Sequence, residues 1–249
     1  MRKDNVESQA DDVISTLELM THNKDKLARC VRLVEDFCGP GSKILEIGCA
    51  HGKLLNKLKR KGFEVHGIEL SRGATSIGKK KFGIDILTLP VEDEIVQTRF
   101  QNYFDAVLCF DTIEHVQHPS GFLRASAALL KMGGVFIVST PNRLSFFGKL
   151  GRLLYLCGIH NNYFLGAFYN TDHVQIFTPN NLERLFIRNG MIPVRREILR
   201  ELSYPLDYYH SVVRSKHGWM ASMVAAFFSS YMLRFGWPKN KMYMVCRKK

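Results

Sequence analysis

A chain of 249 residues, 46% hydrophobic and 23% charged, has the length and apolar content for one α/β domain with a full core, and needs no second one. That composition excludes a disordered chain, and a net charge of +12 with a pI near 9.5 raises a nucleic-acid partner without establishing one. Much of the charge is local: Lys57, Lys59, Arg60 and Lys61 precede Gly62, and Lys79, Lys80 and Lys81 precede Gly83, where helices end and cations complement the dipole.

The cysteines, Cys30, Cys38, Cys49, Cys109, Cys157 and Cys246, form no C-x-x-C pair and have no metal-finger spacing. The opening stretch "MRKDNVESQADDV" lacks the apolar core of a signal peptide. Both features lead to the expectation of a reducing cytoplasm, with the thiols free and buried as small apolar groups.

In chain order, residues 11–38 carry apolar side chains at helical spacing, through Val13, Leu17, Leu27, Val31 and Val34, until Gly39-Pro40-Gly41 ends them. Apolar runs follow in "KILEIG", "FEVHGIEL", "IDILTLP", "FDAVLCF" and "GVFIVST", separated by helical patterns over 53–61, 71–82, 92–100 and 120–130. Near-continuous apolar strands alternating with helices predict a doubly wound α/β fold. Its parallel sheet is covered on both faces and its ligand lies at the carboxyl ends of the strands. An aromatic-rich segment over 142–172 interrupts the alternation before a helix, "TPNNLERLFIRNG", and a strand, "MIPVRREIL". A second interruption over 201–238 precedes the closing run "KMYMVCRKK". Residues 1–249 read as a single domain, with an N-terminal helical segment over 1–40 and two apolar helical insertions, 142–172 and 201–238, forming a substrate cover.

The stretch "KILEIGCAHGKLLNKLKRKG" takes a strand through a tight glycine turn into a helix. It is not a P-loop, because Lys53 is followed by Leu54 and the required first glycine is missing. The dinucleotide fingerprint fails as well: the order is Gly48, Ala50, Gly52, and Glu46 would set an anion beside a pyrophosphate. An acidic residue there suits a ligand with a cationic end, while Gly48 and Gly52 allow close backbone approach. Glu69, closing the second strand, is placed to accept hydrogen bonds from both hydroxyls of a ribose. A ligand with a cationic end and a nucleoside end matches S-adenosylmethionine.

Taken together, "LEIGCAHG" with "GIEL", "FDAVLCFDTIEHVQHP" and "LLKMGGVFIVSTPNR" resemble a class I S-adenosylmethionine-dependent methyltransferase, nearest the branch of the ubiquinone-biosynthesis O-methyltransferases. The resemblance covers the span from Lys43 to Arg143 best. It implies a Rossmann-like, seven-stranded, mostly parallel sheet with an antiparallel last strand. It also implies that Glu46, Gly48, Cys49, Ala50 and Gly52 surround the methionine part of the cofactor, with Glu69 and Leu70 at the ribose. Val91 and Glu92 would lie by the adenine, and Phe110 and Asp111 where the fourth strand closes on the cofactor. Three positions depart from the family: Ala50 replaces its middle glycine, Pro90 stands where an acid is usual, and Asp111 is one methylene shorter than the family's glutamate.

"CFDTIEHVQHP" follows the fourth strand, so its polar residues lie where a transferred methyl would sit. Methyl transfer is an in-line displacement that needs a positioned nucleophile and a place for its proton. His115 suits a general base. Alternatively Asp111, Glu114 and His115 form a divalent-metal site for Mg²⁺ or Mn²⁺, the version the resemblance implies, since the family's Glu-x-x-Glu-His binds a metal. A third reading makes Glu114 and His115 loop anchors or helix caps. His173, in "TDHVQIFTP", is a second candidate base or ligand, and His51 and His118 read as surface residues.

The insertions are apolar. In the second, Trp219, Met223, Val224, Phe227, Phe228 and Tyr231 recur at helical spacing opposite alanines and serines, in a stretch too short and too serine-rich to span a bilayer. They pack as core or dimer contact, close as a lid, or lie at a membrane interface. The expected activity is transfer of a methyl group from S-adenosylmethionine, leaving S-adenosylhomocysteine, to an oxygen, ahead of a nitrogen or carbon, of a small aromatic, apolar or lipid-linked acceptor. The enzyme would be cytoplasmic, with peripheral membrane contact where the acceptor demands it. Nucleic acid is disfavoured, for want of an added RNA-binding domain or a base-methylation signature. The rival readings are an RNA or protein methyltransferase and a non-catalytic cofactor-binding protein.

Overall fold

The structure, a computed structural model, describes residues 24–145, 173–199, 201 and 239–249. The 11–23 part of the expected 11–38 helical segment, Cys157, nearly all of both insertions and the amphipathic face around Trp219 lie outside the described residues. The chain divides into two compact units: Met1–Lys26, Asn142–Thr171 and Ile198–Lys241 form one, and Leu27–Pro141, Asp172–Glu197 and Met242–Lys249 the other. The second unit carries every candidate site residue.

Helix α1 (Lys24–Glu35) leads into strand β1 (Lys43–Ile47), helix α2 (Lys53–Lys59), strand β2 (Glu64–Ile68), helix α3 (Arg72–Phe82) and strand β3 (Ile86–Leu87). Helix α4 (Glu94–Phe100), strand β4 (Phe104–Phe110), a 3-10 turn (Ile113–His115), helix α5 (Pro119–Leu129) and strand β5 (Leu130–Pro141) follow. Helix α6 (Pro179–Arg188), strand β6 (Met191–Leu199) and strand β7 (Lys241–Lys248) close the chain.

The seven strands form one sheet in the order β3-β2-β1-β4-β5-β7-β6. β1 pairs in parallel with β2 and β4, β2 with β3, and β4 with β5. The last strand runs the other way. The N–H of Asn142, just past the end of β5, donates to the carbonyl of Asn240 just before β7, and Lys248 Nζ, at the end of β7, reaches the carbonyl of Leu130 where β5 begins. The doubly wound sheet with an antiparallel closing strand is therefore as the sequence led us to expect.

Strands β1, β4 and the middle of β5 are buried almost without interruption, because helices cover both faces and no residue along them needs to be polar. Ile44, Val107, Leu108, Phe136 and Ile137 are fully buried, each worth about 1.5–3 kcal/mol of transfer free energy. Helix starts are chemically marked: Ser71 caps α3 by accepting from the Ala74 N–H, and Asp93 caps α4 by accepting from the Ile95 N–H. Thr178 and Asn181 form a capping box at α6, with Pro179 at its first position. The basic clusters fall as expected in the last turns of α2 and α3.

Strand β3 is shorter than the expected run "IDILTLP", with only Ile86 and Leu87 in the sheet. It is the edge strand, and Pro90 has no N–H to extend the ladder. Strand β5 instead begins earlier than "GVFIVST", at Leu130, with a register shift opposite Phe104–Ala106. The described cysteines, Cys30, Cys38, Cys49, Cys109 and Cys246, are buried thiols outside any disulfide. Burial pushes the Cys38 thiol up to about 11 and raises Cys49, Cys109 and Cys246 further, so these thiols stay protonated and unreactive.

At the opposite end of the sheet from its carboxyl edge, Asp105 Oδ1 lies 2.6 Å from Lys131 Nζ while Oδ2 accepts from the Lys43 N–H at 2.8 Å. Partial burial pushes this carboxyl up, but the Lys131 ammonium and the Lys43 N–H together outweigh it and hold it below the ordinary aspartate value. A carboxyl depressed in the fold contributes stability above its unfolded pKa, about 3.9, and loses it as pH falls through the folded value. Melting temperatures of wild type and Asp105→Asn are therefore expected to differ at neutral pH and to converge as pH falls below about 4. A gap that does not change with pH would show that the ion pair contributes nothing.

Candidate functional site

The glycine turn after β1 is built by three consecutive demands on the backbone. Gly48 and Gly52 take φ of 74° and 76°, and Ala50 between them takes 48°, a left-handed conformation uncommon outside glycine. The Gly48 and Cys49 N–H groups both donate to the carbonyl of Ile68, at 2.8 and 3.3 Å, which fastens the turn to the end of β2. A Cβ on Gly48 would stand 2.1 Å from Thr112 Oγ1. One on Gly67 would stand 2.8 Å from Cys49 Sγ, and one on Gly78 2.9 Å from the His51 carbonyl oxygen. The turn is thus clasped on three sides where a side chain is missing.

Gly78 explains a correction. His51, expected at the surface, is only 5% exposed and stacks on Phe82 with ring centroids 6.1 Å apart. The left-handed Ala50 turns the chain inward, and the bare backbone of α3 at Gly78 leaves room for it. His118 is exposed, as expected.

Glu46 lies one residue before the end of β1 and is 6% exposed. Glu69 follows β2, and its carboxylate is already oriented: Oε2 accepts from the Ala50 N–H at 3.0 Å and Oε1 from the Ser71 N–H at 2.9 Å. It therefore joins the glycine turn to the cap of α3. Leu70 beside it is 63% exposed, a large apolar side chain open at the site's edge. On the far side, Val91 is buried and Glu92 exposed. The Gln97 amide donates to the Val91 carbonyl at 2.6 Å and to that of Ala125 at 3.2 Å, fixing the loop after β3.

Strand β4 ends at Phe110, and Asp111 then turns the chain with φ of 52°. Its N–H donates to the Ser139 carbonyl at 3.0 Å, and the Ser139 hydroxyl donates to Asp111 Oδ1 at 3.0 Å. Thr112 Oγ1 donates to the carbonyl of Phe110 at 3.0 Å and reaches that of Ile47 at 3.4 Å. The 3-10 turn that follows holds Glu114, 2% exposed, and His115, which is exposed.

The Gln175 N–H donates to the Glu114 carbonyl at 2.8 Å and draws in the segment before α6. That brings His173 to His115, ring centroids 5.0 Å apart and edge to face. One donor atom from each of Glu114, His115 and His173 lies within 4.8 Å of the others. The structure so brings together Glu114, His115 and His173, while Asp111 is held by Ser139 outside that trio.

Negative charge collects at this end of the sheet. After burial itself, Glu46 and Glu69 are the groups that raise the Cys49 thiol, and Glu114 and Glu46 help raise that of Cys109. In a chain of net charge +12, the carboxyl ends of β1, β2 and β4 form an anionic site. Thr112, Ser139, Gln97 and Gln175 went unnoticed in the sequence. Ser139 had left a signal, as a polar residue at the end of an otherwise apolar strand.

Residues 12–193 match the family model described as a methyltransferase domain. Curated relatives named ubiquinone biosynthesis O-methyltransferase include one from Aeromonas salmonicida, 25% identical over 72% of this chain and 79% of its own length. Another, from Alkalilimnicola ehrlichii, is 33% identical over 48% of this chain and 47% of its own length. One from Caulobacter vibrioides is 39% identical over 41% and 42%. The chain thus spans about half the length of several curated relatives that it matches.

In fold the chain is similar to a SAM dependent methyltransferase from Archaeoglobus fulgidus, with a TM-score of 0.64 and 14% identity over 95% of this chain and 99% of that one. It is also similar to magnesium protoporphyrin IX methyltransferase from Synechocystis PCC 6803 with bound SAH, with a TM-score of 0.60 and 14% identity over 90% and 83%. The chain therefore belongs to the methyltransferase-domain family and has the fold of S-adenosylmethionine-dependent methyltransferases.

Proposed function

We propose that the chain transfers the methyl group of S-adenosylmethionine to an oxygen of a small aromatic or lipid-like acceptor. The observation that carries this reading is the anionic site at the carboxyl ends of β1, β2 and β4, where Glu46, Glu69 and Glu114 gather in a basic chain. A sulfonium with an ammonium beside it is the donor such a site favours. Glu46 and the Gly48–Gly52 turn take the methionine end, and Glu69, oriented by two backbone N–H groups, takes the ribose hydroxyls. Leu70 and Val91 flank the nucleobase, with Glu92 at its edge.

The acceptor oxygen attacks the methyl carbon in line with the carbon–sulfur bond. That bond breaks, its electron pair passes to sulfur, and S-adenosylhomocysteine leaves. The hydroxyl proton goes to His115, the exposed imidazole of the trio, with His173 against its ring. The trio also fits a divalent ion: one carboxylate and two imidazoles suit Mn²⁺, Fe²⁺ or Zn²⁺ better than Mg²⁺, whose shell is oxygen. Bound there, an ion would lower the pKa of the acceptor hydroxyl. The apolar sequence of the two insertions supports an apolar or lipid-linked acceptor, met at a membrane surface where it is lipid-borne.

Calorimetry tests the donor half of the reading. S-adenosylmethionine is expected to bind and NAD not to, and Glu69→Ala is expected to weaken S-adenosylmethionine by roughly 10-fold or more, the loss of hydrogen bonds to a charged acceptor. NAD binding alone, or full affinity in Glu69→Ala, would overturn it. The acceptor half is tested by incubating the protein with methyl-labelled S-adenosylmethionine and cell extract, then separating organic, nucleic-acid and protein fractions. Label in the organic fraction supports the reading, and label in RNA or protein defeats it.

A further inference from the structure

We propose that Ser139 is a positioning residue for the methyl donor, acting through Asp111. The inference rests on the proposed binding of S-adenosylmethionine at the glycine turn, and places the Asp111 carboxylate beside the cationic end of that donor.

Asp111 is held in a conformation that costs about 1–3 kcal/mol and persists only where neighbours over-determine it. That φ of 52° does not itself call for an aspartate, since asparagine or glycine would serve a left-handed position at least as well. Ser139, on the adjacent strand, supplies the over-determination. Its carbonyl accepts from the Asp111 N–H and its hydroxyl donates to the carboxylate, both at 3.0 Å. Two bonds between one pair of residues fix both the backbone and the side chain of Asp111.

Ser139 itself is fully buried, in a strand whose neighbours Phe136, Ile137 and Val138 are apolar. An alanine there could not hold the carboxylate, which the serine hydroxyl does. The next residue, Thr112, is pinned to the carbonyl of Ile47 and fills the space beside Gly48. The carboxylate that Ser139 holds is therefore one residue from the glycine turn, where the cationic end of the donor is placed. A charge fixed in advance at that point attracts the ammonium and sulfonium without first having to be ordered.

The experiment is a double-mutant cycle read by calorimetric titration of S-adenosylmethionine into wild type, Ser139→Ala, Asp111→Asn and the double variant, with melting temperatures measured alongside. Ser139→Ala is expected to weaken the donor about 10-fold, the size of a lost hydrogen bond to a charged group. In the Asp111→Asn background the same change is expected to have almost no further effect, because no charge remains to be held. A purely structural serine would instead lower the melting temperature and weaken binding equally in both backgrounds, which overturns the proposal. Ser139→Cys, of similar size with a weak donor, is expected to recover part of the affinity. If Asp111→Asn weakens the donor and Ser139→Ala does not, the Ser139 inference alone fails. If Asp111→Asn leaves the affinity unchanged, the placement of Asp111 at the donor fails with it.

Discussion

Gly48→Ala is expected to destabilise the protein by about 2–5 kcal/mol, the sum of about 1–2 kcal/mol for a left-handed L-residue and about 1–3 kcal/mol for overpacking. It is expected to abolish measurable S-adenosylmethionine binding in the fraction that still folds. The new Cβ would lie 2.1 Å from Thr112 Oγ1, 2.8 Å from its Cγ2 and 3.0 Å from its Cβ. Thr112 cannot simply rotate away, because its hydroxyl is bonded to the carbonyls of Phe110 and Ile47. Either the turn opens away from the donor, or Thr112 shifts and takes the Asp111 bend with it.

Gly83 provides the comparison: it too has a positive φ, 59°, but no atom lies within 4 Å of a Cβ placed there. Gly83→Ala should cost only about 1–2 kcal/mol, the strain of a left-handed L-residue, and leave donor affinity unchanged. Chemical denaturation and calorimetry on the two variants separate backbone strain from the wall that Thr112 forms. If Gly48→Ala costs no more than Gly83→Ala, that wall does not exist. Adding Thr112→Ala to Gly48→Ala should restore part of the loss, since two of the three close atoms are then gone.

The sheet was legible because its central strands are buried on both faces and so read as unbroken apolar runs. The glycine turn was legible because φ near 75° at Gly48 and Gly52 leaves little choice of residue. Long-range pairings were not. That His173 meets His115 depends on the Gln175 N–H reaching the Glu114 carbonyl, a backbone bond between segments 61 positions apart with no signature in either. Glu69 was read as a ribose ligand without its two N–H donors, because those belong to a turn and a helix cap. Pro90 was recognised as unusual, yet its consequence, a two-residue edge strand, needed the neighbouring ladder to be seen. His51 was misread for the same reason: its burial follows from the missing side chain of Gly78, 27 positions away.

Glu114→Gln carries the second large effect, on the reaction and not on the fold. The carboxylate is 2% exposed at the centre of the trio with His115 and His173. A glutamine of the same shape removes its charge without opening a cavity, so the melting temperature should not fall, and donor affinity should fall far less than transfer does, through the loss of one of the site's three carboxylates. Methyl transfer into the organic fraction is expected to fall by about 10²–10⁴-fold, the range for losing a positioned acid, base or ligand at the reacting group. His115→Ala should match it, since both readings place that imidazole at the acceptor oxygen. The two readings then separate on EDTA. If the trio holds an ion, EDTA abolishes wild-type transfer, Mn²⁺ restores it, and His173→Ala is as damaging as the other two. If His115 is a base oriented by Glu114, EDTA has no effect and His173→Ala loses much less. Full activity in Glu114→Gln would remove both, and would leave the glycine turn and its carboxylates as a donor-binding site whose acceptor chemistry lies elsewhere in the chain.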